Sequence, residues 1–112
     1  MKYKDFEIAD MHADDQFIIL KTGTKLGDVP EKIKKEFPYP FRLAGDDFYT
    51  WENGKLHRHK EYITTLGLSK INPDDADEYE YALPLDDYGM GMNGDTVIEY
   101  MVDGKWQECA IG

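Results

Sequence analysis

His57-Arg58-His59-Lys60-Glu61 sets two imidazoles and a carboxylate at every second position. Side chains alternate across a strand, so on extended backbone His57, His59 and Glu61 would share one face and offer a donor set suited to a transition metal. Lys55, Arg58 and Lys60 beside them disfavour a bound cation, although Arg58 and Lys60 belong to the opposite face. Two readings follow: a small metal-binding module or metal-dependent enzyme, or a solvated strand face that holds no metal.

Gly89-Met90-Gly91-Met92-Asn93-Gly94 spells G-x-G-x-x-G, the lettering of a dinucleotide-phosphate loop. That loop works between a strand and a helix, whose N-terminus meets the pyrophosphate. Here the β-patterned run Asp95-Thr96-Val97-Ile98-Glu99-Tyr100 follows, and Asp86, Asp87 and Asp95 surround the glycines with negative charge. A phosphate would be repelled at such range, and no P-loop lysine is present. The expectation is a pliable acidic loop over 86–95, its glycines supplying unusual backbone angles, with no cofactor.

The remaining reactive groups are isolated. Cys109 is the single cysteine, which excludes an internal disulfide and a cysteine zinc cluster. It has no cationic neighbour in sequence to activate it. Ser69 is the single serine and lacks a nucleophile-elbow context. The acids from Asp74 to Glu80 lack the glycine and terminal glutamate spacing of an EF-hand loop. A two-residue turn at Asp103-Gly104 would set Glu99 opposite Glu108, an unfavourable like-charge pair. An exposed, screened pair is expected there; a longer loop, or a carboxylate with raised pKa for acid–base work, are the alternatives. No catalytic residue is assigned, and the chain reads as a non-enzyme.

Charge distribution is the most informative feature. The 112 residues carry 23 acids and 13 bases, a formal net charge of −10. Between Lys70 and Lys105 there is no Lys or Arg, while Asp74, Asp75, Asp77, Glu78, Glu80, Asp86, Asp87, Asp95, Glu99 and Asp103 fall in that interval. Acids and bases balance elsewhere, so this one third of the chain carries the whole net charge. Membrane surfaces and nucleic acids are themselves anionic and are excluded as direct partners of this third; a basic protein surface fits.

The elements that must position these groups follow from pattern. At 41% hydrophobic residues the chain is too apolar for a disordered one and suits one compact domain. Tyr3 to Ala9 and Gln16 to Lys21 read as two strands of a hairpin around a Met11–Asp15 turn. Asp28-Val29-Pro30-Glu31 reads as a helix start, with Asp28 as N-cap of one short helix over 30–37 that Pro38 and Pro40 stop. Phe41 to Lys60 reads as a hairpin about Asn53-Gly54, pairing Trp51 with Leu56 and Thr50 with His57. Its Tyr49, Trp51 and Leu56 face is expected to be buried and its Thr50, His57, His59 and Glu61 face wet. Tyr62 to Leu68 fits strand or short helix. Glu78 to Leu83 alternates as a strand that Pro84 ends or marks as an edge, with Glu78 and Glu80 about 6.6 Å apart on one face. Thr96 to Ile111 reads as a hairpin about Asp103-Gly104. The fold class expected is α+β: a single domain, residues 1–112, with an antiparallel sheet of five to seven strands and one short helix.

The opening residues MKYKDFEIAD lack the apolar run of a secretory leader, and with one cysteine a reducing cytoplasm is the expected setting. The function expected is a non-enzymatic interaction or inhibitor protein. Its acidic face, Asp74, Asp75, Asp77, Glu78, Glu80, Asp86, Asp87 and Asp95, would block a basic protein surface by imitating nucleic acid. Phage-type inhibitors of host nucleases, of the anti-restriction and anti-CRISPR kind, act in this way. Immunity proteins, or a structural subunit with a merely solvated acidic side, are further alternatives.

Overall fold

The computed structural model describes residues 1–12, 14–45, 47–60 and 63–108, with backbone alone at 47, 48, 60, 63 and 64. Tight turns organise the strands. At Lys4-Asp5, Asp14-Asp15, Asn53-Gly54 and Asp103-Gly104 both central residues have positive φ, the backbone hand that matches the twist of antiparallel strands. Lys4-Asp5 therefore splits the expected Tyr3–Ala9 strand into β1 (Lys2–Tyr3) and β2 (Phe6–His12), and β2 runs on through Met11 and His12. β3 is Phe17–Leu20.

The remaining elements are α1 (Glu31–Glu36), β4 (Tyr39–Ala44), β5 (Asp47–Glu52), β6 (Lys55–Lys60), β7 (Ile63–Ser69), α2 (Glu78–Pro84), β8 (Val97–Val102) and β9 (Lys105–Glu108). Seven strands form one antiparallel sheet in the order β1-β2-β3-β7-β4-β8-β9. β5 and β6 form a separate two-stranded ribbon inserted between β4 and β7. The architecture is α+β, as the patterning implies. Among the described residues no helix is long and apolar enough to cross a membrane.

Each sheet face has its own cover. Ile8, Ile18, Leu20 and Leu68 point to one side and pack with Val29, Ile33 and Phe37 from α1 and its flanks. Phe17, Ile19, Phe41, Leu43, Ile98 and Tyr100 point to the other and pack with Leu85, Tyr81 and Tyr88. α1 starts differently from the expectation. Asp28 ends a single 3-10 turn, Leu26–Asp28, and Pro30 is the N-cap, with no side-chain cap bond. Glu36 on α1 ties the helix to β1, accepting hydrogen bonds from Tyr3 Oη and Lys4 Nζ.

The main departure from the sequence pattern is residues 78–93. Glu78 to Leu83 is helical, not a strand, and the expected loop after Pro84 continues as wide π-helical turns over Leu85–Asn93. The start signal is Asp77, whose carboxylate accepts from Glu80 N at 2.9 Å, with Glu78 and Glu80 in the first turn. Acids there are favoured by the N-terminal end of the helix dipole. Pro84 cannot donate to the ladder and crowds the preceding turn, and the helix widens directly after it.

Candidate functional site

The acidic third folds as an outer layer over one sheet face. Asn72 starts it: its Oδ1 accepts from Asp74 N at 2.9 Å and its Nδ2 donates to Asp75 Oδ2 at 3.2 Å. Asp77 then caps α2. Seven of the eight expected contact residues, Asp74, Asp75, Asp77, Glu78, Glu80, Asp86 and Asp87, are solvent-exposed. They do not form the expected strand row. Residues two apart on a helix point about 200° apart around its axis, so Glu78 and Glu80 diverge.

Asp95, the eighth, is a correction. It is 2% exposed, accepts from Asn93 Nδ2 at 2.8 Å, and the same amide donates to Thr65 Oγ1 at 2.8 Å. A carboxylate so enclosed fastens the end of the helix to β7 and is not presented to a partner. The glycines of the G-x-G-x-x-G spelling have equally local explanations. A Cβ at Gly89 would stand 2.8 Å from Leu85 Cδ1 and 3.3 Å from Leu43 Cδ1, so this residue lets the helix approach the sheet. Gly94 ends the helix at φ 74°, in the left-handed region. Gly91 faces open space.

The inner side of the layer is held by aromatic contacts. Tyr100 Oη donates to Tyr81 O at 2.8 Å, tying α2 to β8. Tyr88 meets the His12 ring edge-on at 5.4 Å, and His12 in turn stacks on Phe17 at 5.5 Å. The outer side intersperses the acids with exposed apolar groups, Tyr79, Met90 and Met92. An acidic surface interrupted by tyrosine and flexible methionine side chains suits protein contact.

On the β5–β6 ribbon the pairing matches the expectation residue for residue, including Trp51 with Leu56 and Thr50 with His57. The burial expectation is overturned: Trp51 is 73% exposed, and Tyr49 and Leu56 are more than half exposed. No layer covers them, because the ribbon leaves the main sheet. His57 and His59 flank the Glu52 carboxylate at 3.8 and 3.6 Å, and Thr50 Oγ1 lies 2.7 Å from His59 Nε2. Glu61 lies outside the described residues, as does Cys109. Among the described residues no three His, Cys, Asp or Glu side chains gather as metal ligands.

Glu99 and Glu108 are cross-strand neighbours, as the turn implies, but not an exposed pair. Glu99 is 2% exposed and accepts from Arg42 Nε at 2.9 Å and Nη2 at 2.8 Å. The Arg42 guanidinium also stacks on Trp106 at 4.4 Å. Glu108 accepts from Arg58 Nη2 at 2.7 Å and from its Nη1. Each carboxylate thus has its own arginine, from a strand distant in sequence, which sequence spacing gives no means of finding. A cleft of about 360 Å³ near the end of β3 is lined by Lys21, Thr24, Thr65, Leu66, Tyr88 and Trp106, among others. None of the expected site residues lines it.

No family model, curated protein or solved structure matches this chain.

Proposed function

We propose that this protein is a non-enzymatic inhibitor or interaction protein whose acidic helical layer docks on a basic protein surface, one that otherwise grips nucleic acid. The observation that carries the reading is the segregation of charge. Seven exposed carboxylates lie on one continuous layer, residues 74–93, with no Lys or Arg among them. Such a surface steers a basic partner and raises the association rate, with an effect that falls as salt rises. Tyr79, Met90 and Met92, exposed on the same layer, would supply the apolar contact that gives a steered complex its lifetime. The setting proposed is a reducing cytoplasm, and the class a phage-type inhibitor of a host nuclease.

The test is capture from native lysate at low and high salt, with the wild-type chain and a Glu78→Gln, Glu80→Gln, Asp86→Asn, Asp87→Asn variant as baits. A nucleic-acid-binding protein retained only by the wild type, released by salt and losing its grip on DNA or RNA when bound, supports the reading. Partner binding that survives the fourfold neutralisation, with the variant folded by circular dichroism, removes it.

A further inference from the structure

The chain holds three asparagines, Asn53, Asn72 and Asn93. Asn72 precedes Pro73, whose ring nitrogen carries no N–H. Asn53 and Asn93 each precede glycine, the residue that least hinders its own backbone nitrogen from approaching the preceding side-chain amide. That nitrogen and that amide carbon are the reacting partners of a cyclisation that releases ammonia. Both asparagines are solvent-exposed, so access to water does not separate them. Bonding does.

At Asn93-Gly94 both partners are held. Asn93 Nδ2 donates to Thr65 Oγ1 and to Asp95 Oδ2, each at 2.8 Å. Gly94 N donates to Gly89 O, and Asp95 N donates to the same oxygen at 2.9 Å. Thr65 and Asp95 are buried, so freeing Asn93 requires loosening the helix end from β7. At Asn53-Gly54 neither partner is held. Among the described residues the Asn53 side chain has no hydrogen bond, Gly54 N makes none in the turn, and nothing stands within 4 Å of a Cβ placed on Gly54. Ring closure requires Asn53 to rotate out of its left-handed conformation at φ 52°. The ribbon permits this rotation. β5 and β6 pair as strands only with each other, an arrangement of marginal stability, and the turn at its tip opens at low cost.

We propose that Asn53 is a site of spontaneous deamidation and that the fold protects Asn93, although the same residue follows it. The Gly54 nitrogen gives up its proton and bonds to the Asn53 side-chain amide carbon. The bond from that carbon to Nδ2 breaks, and ammonia leaves with the proton. Water then opens the cyclic imide. Opening at the side-chain carbonyl gives aspartate, and opening at the backbone carbonyl gives isoaspartate, with the chain running through the former side chain. The net change is water in and ammonia out. The two products differ in consequence. Asp103-Gly104 adopts φ 51° and 78° where Asn53-Gly54 adopts 52° and 76°, so aspartate fits this turn. Isoaspartate adds a backbone carbon that a two-residue turn in tight register does not accommodate, and the Trp51–Leu56 and Thr50–His57 pairs are lost. Deamidation thus opens the ribbon with time, and it involves neither the acidic layer nor its partner.

Incubation of the folded chain in mildly alkaline buffer, followed by peptide mapping with mass spectrometry, tests the proposal. The expected result is acid at position 53, in both linkages, accumulating roughly tenfold or more faster than at position 93. In concentrated urea the two asparagines should convert at similar rates, which assigns the difference to the fold. Amide exchange in β5 and β6 should be faster in the isoaspartate form than in the wild type, and unchanged in Asn53→Asp. Conversion of Asn93 as fast as that of Asn53 in the folded chain overturns the inference. So does a difference that persists in urea, or an Asn53 that stays intact in the folded chain while the unfolded chain converts. An isoaspartate form whose ribbon exchanges as slowly as the wild type overturns the opening of the ribbon.

Discussion

At Asn53-Gly54 the two φ angles are 52° and 76°, and at Asp103-Gly104 they are 51° and 78°. Both turns join strands in tight register, Glu52 with Lys55 in one and Val102 with Lys105 in the other. Beyond the turn the two hairpins diverge. β8 is buried from Val97 to Tyr100, because β4 pairs along its other side. β5 and β6 pair as strands only with each other, Arg58 tying β6 to Glu108 on β9 through side chains alone, and Trp51 stands in solvent. Turn chemistry is local and sets which residues face one another. Burial depends on a third strand or a helix, and that neighbour comes from elsewhere in the chain.

The contrast can be broken most sharply at the arginines. Arg42→Ala removes two charge-assisted hydrogen bonds from the enclosed Glu99 carboxylate and should cost about 3 kcal/mol in urea denaturation. Arg58→Ala removes a partner of the surface carboxylate Glu108 and should cost less than about 1 kcal/mol. Equal losses would mean that burial does not distinguish the two pairs. Next come the turn glycines. Gly104→Ala should lower global stability by about 1–2 kcal/mol, because a Cβ is strained at positive φ. Gly54→Ala should leave the global midpoint in place and only speed amide exchange within β5 and β6. A shift of the global midpoint by Gly54→Ala would show the ribbon to be part of the cooperative unit.

Tyr100→Phe, which deletes the hydroxyl held by Tyr81 O, should cost about 1 kcal/mol. Trp51→Ala should change monomer stability by no more than about 0.5 kcal/mol despite the loss of a large aromatic group; a larger loss would reveal packing on the ribbon.

The smallest effect expected is a pH dependence at the β1–α1 tie. The hydrogen bond from Lys4, and then that from Tyr3, hold the Glu36 carboxyl below its ordinary value of 4.5. The hydrogen bond to Glu36 raises both the Tyr3 hydroxyl above 10.0 and the Lys4 ammonium above 10.5. A lowered carboxyl pKa contributes stability above 4.5 that is lost as pH falls through the folded value. Raised Tyr3 and Lys4 values contribute stability below about 10 that is lost as pH rises through theirs. Glu36→Gln should therefore flatten the stability profile at both ends. A profile of unchanged shape would remove this tie as a contributor.

The acidic helix shows why part of the fold escapes a linear reading. Tyr79, Tyr81 and Leu83 alternate with Glu78, Glu80 and Ala82, and over six residues a period of two imitates a strand. The competing signal was Asp77 three residues before Glu80, the same acid-x-x-glutamate spacing as Asp28 to Glu31. At Asp77 it caps a helix, and at Asp28 it does not. Spacing alone cannot rank the two, and both helices pack on the sheet. Asp28 is taken up in the 3-10 turn Leu26–Asp28, with extended Val29 between it and the N-cap Pro30, whereas Asp77 stands directly before its helix.

The sequence by itself determined what short range controls: the turns at Asn53-Gly54 and Asp103-Gly104, the pairing they impose, the stop of α1 before Pro38, the α+β class and the concentration of negative charge between Lys70 and Lys105. Tertiary structure alone decided which groups meet water. It enclosed Asp95 and Glu99, gave Glu99 and Glu108 separate arginines, turned the acidic run into a helical layer and left the Trp51 face uncovered. Each of these depends on contacts between residues far apart in the chain. Solvation and packing energies are set by all neighbours in space, and adjacency along the chain supplies only two of them.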